Sequence, residues 1–244
     1  MINIMRADPT QKFEYGPFTI RRLRPGHMHS PDNGSTFGPL AIVDHATLET
    51  GSRVPMHRHV NDEILTYVWR GSMVHEDANG NRTPLSAKKL MMMSAGSGVS
   101  HEESTPIVQA ETVQVIIRPN AADGEGRVQF MDRPAGISDN AWNLLAAPEG
   151  SGAPLDIRQE VWVYDVRLEK DHTLAAPRID GFASWLYVLD GVITLGEQKL
   201  GKGDAASSND DALPAINATR DATLLCLLVR LDAPTVDSGT VSGH

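Results

Sequence analysis

Between residues 40 and 117 the chain breaks into short apolar, β-branched runs, and none sustains a helical period over three turns. Residues 40–48, 64–69, 72–76, 90–93 and 112–117 have strand length. Arg70-Gly71 and Asn79-Gly80 supply the intervening turns, the latter a favoured two-residue hairpin signal. Residues 18–23 can form an earlier strand, and strand patterns resume at 161–168, 185–189, 192–195 and 223–229. The segments 118–126 and 148–154 are rich in Gly, Pro and polar residues, as connections between units are. An all-β protein of two units is therefore expected, divided as residues 1–133 and 134–244. The Asp/Pro/Ser/Gly-rich tail is expected to fray after about residue 231.

A short echo supports the division. Tyr67-Val68-x2-Gly71 returns 120 positions later as Tyr187-Val188-x2-Gly191, in both cases where a strand meets a tight turn. The two units read as duplicates of one β module. The same displacement carries His57, His59 and Glu63 onto Pro177, Ile179 and Ala183. Whatever chemistry the histidines perform belongs to the first unit alone.

Composition narrows the function. With 244 residues the chain can bury one large core or two ordinary ones. Its net charge of −9, without a basic block, offers no footprint for direct nucleic-acid contact or for an anionic membrane surface. The single cysteine, Cys226, lies in an apolar run and reads as a core thiol, so nothing points to an oxidising compartment. The apolar runs fall far short of the ~20 residues of a membrane span, and the N-terminus lacks a signal-peptide layout. A cytoplasmic protein is expected.

The chemistry concentrates in His57-Arg-His59, with Glu63 four residues on, and in His101-Glu102-Glu103. In extended chain, side chains two apart share a face. His57 with His59, and His101 with Glu103, then form a mixed nitrogen and oxygen set from two strands. Glu63 is also an even step from His59, but a turn at Val60-Asn61-Asp62 would break the shared face, so Glu63 is assigned to the pocket wall. Glu102 should point away. His27 and His29 also form a His-x-His pair, but they sit among Pro and Gly without a carboxylate, and a structural role is expected. His75, on the hairpin, is expected to be a surface or cross-strand residue. Three imidazoles and a carboxylate leave two open positions in an octahedral shell. Such ligands suit Fe(II), Mn(II), Co(II) or Ni(II), and no thiolate favours Zn.

The glycine-framed stretch Gly51-x5-His57-x-His59-x3-Glu63, with Gly71 beyond it, and Gly96-x-Gly98-x2-His101 resemble the two motifs of the cupin superfamily. The second has Gly96 where proline is common. Phe37-Gly-Pro-Leu40, Ser94-Ala-Gly-Ser-Gly98 and His101-x-Glu103 resemble the pirin branch more specifically. The resemblance implies a bicupin of two β-sandwich or jelly-roll barrels, metal-bearing in the first and degenerate in the second. It implies His57, His59, His101 and Glu103 as ligands of one divalent metal ion per chain, with Fe(II) first and Mn, Co, Ni or Zn as alternatives.

The resemblance extends to proteins that cleave flavonols, and so implies a quercetin 2,3-dioxygenase-like reaction. A flavonol-like aromatic substrate and O₂ would be the partners, and Glu63 or Glu103 would take the proton of the substrate hydroxyl. Two other readings accompany it: a non-enzymatic, metal-binding regulator that docks on a protein partner, and a cupin isomerase. One fold hosts many functions, so the site must decide.

Overall fold

A computed structural model of the chain describes residues 2–7, 12–15, 17–29, 36–209 and 212–243. Its regular structure is β-strand apart from one short 3-10 turn, Pro25–Met28. The strands form two curled sheets, one of eleven and one of nine, and the architecture is that of a bicupin. In the first sheet Leu40–Leu48, Ala110–Ile117, Glu63–Arg70 and Lys89–Ser94 run side by side, mostly antiparallel partners far apart in sequence. In the second, Val161–Leu168, Ile216–Val229 and Ala183–Leu195 repeat that arrangement. No helix among the described residues is long and apolar enough to cross a membrane.

The two-residue period of each strand explains where the core sits. On Glu63–Arg70, the odd residues Leu65 and Tyr67 pack against Trp185, Leu225 and Leu227 of the second sheet. The even residues Ile64 and Val68 join two separate clusters, with Met93 and Met91 respectively, inside the first barrel. Leu186, Val188, Leu224 and Cys226 fill the second barrel. There the Cys226 thiol is buried and its pKa is pushed up to about 12. Each sheet thus has one face curled inward and the other pressed on its partner.

The repeated Tyr-Val-x2-Gly has a matching role in each half. Gly71 and Gly191 adopt left-handed φ of 73° and 88°. A Cβ there would lie 1.8 Å from the Gln109 carbonyl oxygen or 2.0 Å from that of Asp221. Only glycine fits both the dihedral and the close backbone approach.

Two segments cross between the halves. Ile2–Met5 pairs with Ala205–Ser208 and so completes the second sheet, although it begins the chain. The tail differs from the expected frayed end. The Thr240 amide donates to the Val60 carbonyl, and the Val236 amide to that of Pro119, tying the tail to the first half. Val241 packs against the Ile42 and Ile64 cluster. Low hydrophobicity suggested fraying, but backbone and hydroxyl hydrogen bonds hold the segment instead.

The seam is locked by a polar cluster. Asp165, fully buried, accepts from Arg133 Nη1 at 2.6 Å and from the Tyr67 hydroxyl at 2.8 Å. Arg133 also reaches Tyr67 Oη at 3.1 Å. Removing one partner of such a pair strands a buried charge, at about 3–5 kcal/mol. Asp165→Ala should therefore lower the unfolding free energy by about that amount in denaturant titrations, while Arg53→Ala, at an exposed ion pair, should leave the denaturation midpoint essentially unchanged.

Candidate metal centre

His57 and His59 lie on the edge strand Arg53–His59, and His101 on the neighbouring Val99–Ser104. The register sets His101 directly opposite His57, and their rings lie 4.5 Å apart between centroids. His59 completes a triangle, 4.9 Å from His57 and 5.3 Å from His101. One candidate ligand atom from each of the three lies within 4.8 Å of the others.

The outer nitrogen of every ring is engaged. His57 Nδ1 meets the Pro55 carbonyl at 2.9 Å, His59 Nδ1 meets Asp62 at 3.3 Å, and His101 Nδ1 meets His75 Nδ1 at 3.1 Å. Such contacts fix ring orientation and tautomer, and leave Nε2 as the donor to a metal. His101 Nε2 is buried and has no hydrogen-bond partner, an arrangement that a metal ion would satisfy. Burial, with His57, His59 and His75 around it, holds the His101 pKa down to about 3, and burial lowers that of His57. Both rings are then neutral and able to coordinate. The residues fit a divalent ion.

Asp62 is the anchor of this arrangement. It is fully buried and accepts from the amides of Val241 at 3.0 Å and Ser242 at 2.9 Å, and from the Ser242 hydroxyl at 2.7 Å. These donors and His59 outweigh burial and keep its carboxyl below the usual range. The turn that places it depends on Asn61, whose φ of 51° is left-handed and whose side chain reaches Ser238 at 3.0 Å.

The structure separates the two carboxylates that the sequence left in competition. The Asn61 turn restarts the strand so that Glu63 falls on the face of Leu65 and Tyr67, toward the second half. There it accepts from Ser94 Oγ at 2.8 Å and from the Arg158 amide at 3.1 Å. Its hydrogen bonds among the described residues are therefore with Ser94 and Arg158 rather than with the histidines. Glu103 remains with the histidines: it interacts electrostatically with His59, and Gln114 Nε2 donates to its Oε1 at 3.1 Å. A bulge sets Glu103 opposite Val54 rather than two steps from His57. The three ligand atoms that lie within 4.8 Å of one another come from the histidines, with Glu103 beside them. Burial raises its pKa to about 7. Glu102 points away, onto Arg53 at 2.6 Å.

Sequence reasoning missed Asp62. His75, expected as a surface or cross-strand residue, is a buried cross-strand one opposite Glu103, and its contact with His101 had no advance signal beyond its place on the hairpin. His29 is bound by Asn3 at 3.0 Å and Ser207 at 2.9 Å and stacks on Phe37, a structural role at the crossing of the two halves.

Two tests follow from this geometry. Asp62→Asn should weaken metal affinity about 10–100-fold in chelator competition, and His57→Ala should abolish stoichiometric metal in elemental analysis. Glu63 gives a stability signature. Burial raises its folded pKa to about 7 from 4.5, so between those values the folded state holds a proton that the unfolded chain has released. Stability falls as pH rises through that window and is level above it, by roughly 3 kcal/mol at most. Glu63→Gln should remove that slope, and its stability relative to the parent should improve between pH 5 and pH 8.

The comparisons with known proteins agree with this architecture. The pirin family model matches residues 18–117, and that of the quercetinase C-terminal cupin domain matches residues 144–228. A quercetin 2,3-dioxygenase of Escherichia coli K12 is 27% identical over 195 residues, 78% of this chain and 81% of its own length. The crystal structure of the Escherichia coli pirin YhhW in complex with nickel(II) superposes with a TM-score of 0.82 at 24% identity, covering 97% of this chain and all of that one. A quercetin 2,3-dioxygenase of Acinetobacter baumannii superposes at 0.73 with 22% identity, covering 95% and 86% of the two chains. With both halves matched, and a three-histidine group found among the described residues only in the first, the chain belongs to the pirin family of bicupins.

Proposed function

We propose that the protein is a metal-dependent dioxygenase acting on quercetin-like flavonols in the cytoplasm, with His57, His59, His101 and Glu103 holding the metal. The observation that carries this reading is the convergence of three imidazoles whose outer nitrogens are all engaged. The quercetin 2,3-dioxygenase relatives and the nickel-bound pirin support it. A divalent ion held there, Fe(II) first and Mn, Co, Ni or Zn otherwise, supplies Lewis acidity toward the flavonol hydroxyl and electron exchange with O₂.

The chain's own residues do the rest. Glu103, which lies beside His59, takes the proton of the flavonol hydroxyl. Gln114 fixes its carboxylate, and Thr66 lies beside Gln114 at 3.5 Å. Ile64 and Met93 belong to an apolar cluster inside the same barrel. Half-exposed His57 and exposed Met56 mark the open side, through which a flat aromatic ring would enter.

The test is quercetin turnover by protein reconstituted with each metal in turn. Consumption should need both metal and O₂, and Glu103→Gln should slow it by about 10²–10⁴-fold. Metal content measured on the same variant separates loss of the base from loss of the ion. Quercetin consumption that continues without O₂ would refute an oxygenase. Silence across the flavonols with fully loaded protein would favour the regulatory reading.

A further inference from the structure

The seam between the halves carries the same row of residues twice. His45 and Tyr67 flank Val113 on adjacent strands, and Asp165 and Tyr187 flank Leu225 in the same way. The displacement of 120 positions that relates Tyr67 to Tyr187 also relates His45 to Asp165. Across the seam the rows meet crosswise: the Tyr67 hydroxyl contacts Asp165 at 2.8 Å, and the Tyr187 hydroxyl contacts His45 Nδ1 at 2.7 Å. Each tyrosine also accepts from an arginine, Arg133 in the first case and Arg21, at 2.5 Å, in the second.

The two junctions differ in one respect. Asp165 neutralises Arg133 at 2.6 Å and closes the first. At the second the carboxylate is replaced by a buried imidazole, held neutral by desolvation. Among the described residues no carboxylate pairs with Arg21, and its buried Nε has no hydrogen-bond partner. The nearby acids are committed elsewhere, Glu111 to His45 and Lys202 and Asp204 to Arg6. A cavity of about 510 Å³ opens at this junction, with Thr19, Arg21, His45, Thr47, Glu111 and Lys202 among the residues lining it. That volume suits a small organic molecule, and junctions between structural units are common ligand sites.

We propose that this second junction is a binding site for a small carboxylate, whose oxygens pair with Arg21 as Asp165 pairs with Arg133 at the first. Lys202, paired with Glu111, sits at the rim, and the Thr19 and Thr47 hydroxyls, opposite each other in register, can donate to a ligand. In a chain of net charge −9, a guanidinium with no carboxylate partner among the described residues, set beside a cavity, selects for an anion. The site lies on the outer face of the first sheet, the opposite side from the histidine centre, and does not depend on the proposed reaction.

Isothermal titration of the full chain with succinate, and separately with inorganic phosphate, at low ionic strength tests the proposal. Saturable binding of succinate is expected, with phosphate weaker. Affinity should fall at least about tenfold in Arg21→Ala, as the loss of a charge-assisted pair implies, and less in the rim variant Lys202→Ala. The decisive variant is His45→Asp, which restores to this junction the carboxylate of the other. It should remain folded, with an undiminished thermal midpoint, and no longer bind succinate. His57→Ala should bind as the parent does. Absence of saturable succinate binding, tighter binding of phosphate, undiminished binding in His45→Asp, or loss of binding in His57→Ala would each overturn the proposal.

Discussion

A curled sheet can hide only one of its faces inside itself. Here each sheet carries apolar residues on both, because Leu65 and Tyr67 point one way and Ile64 and Val68 the other. The outer face must be covered, and the partner sheet covers it. The rest of the molecule depends on that pairing. It buries Trp185 and Tyr187 completely. Apolar area lost from water supplies the drive at about 25 cal/mol per Å². The polar contacts at the two junctions then decide the relative placement of the halves, since a misregistered seam would strand Asp165 and Arg133.

The metal centre is organised from outside inward. Three groups from three different places, the Pro55 carbonyl, Asp62 and His75, act on the three rings. The edge strand that carries His57 and His59 has one paired neighbour, so these contacts supply stiffness that the sheet does not. Asp62 in turn is held by residues at the far end of the chain. Orientation of the ligands is a property of the whole fold rather than of the motif.

Much of this was legible in the sequence. Period-two runs, the Asn79-Gly80 hairpin and the Tyr-Val-x2-Gly echo specify an all-β duplicate, because strand alternation and turn chemistry are local properties. The three histidines were legible for the same reason. Glu63 was not, because one left-handed residue, Asn61, resets the face on which the next strand begins. The bulge beside Glu103 has the same character: a two-residue count holds only while the ladder is regular. His75 and Asp62 stayed hidden because their partners are distant in sequence or across a strand. The crossing of Ile2–Met5 and the anchoring of the tail rest on backbone hydrogen bonds, which leave little trace in residue type.

The strap formed by Thr240, Val241 and Ser242 sets an order of events. His59 leaves the ribosome about 180 residues before the donors that hold its Asp62 anchor. Synthesis proceeds at ~5–20 residues per second, so the gap lasts roughly ten to forty seconds. During that interval the first barrel can curl and its histidines can approach one another, but the anchor has no amide or hydroxyl from the tail. The ring of His59 is then free to swing. Completion of the centre is therefore a late event, and a chain interrupted before residue 240 carries every ligand but lacks the donors that hold the Asp62 anchor of His59.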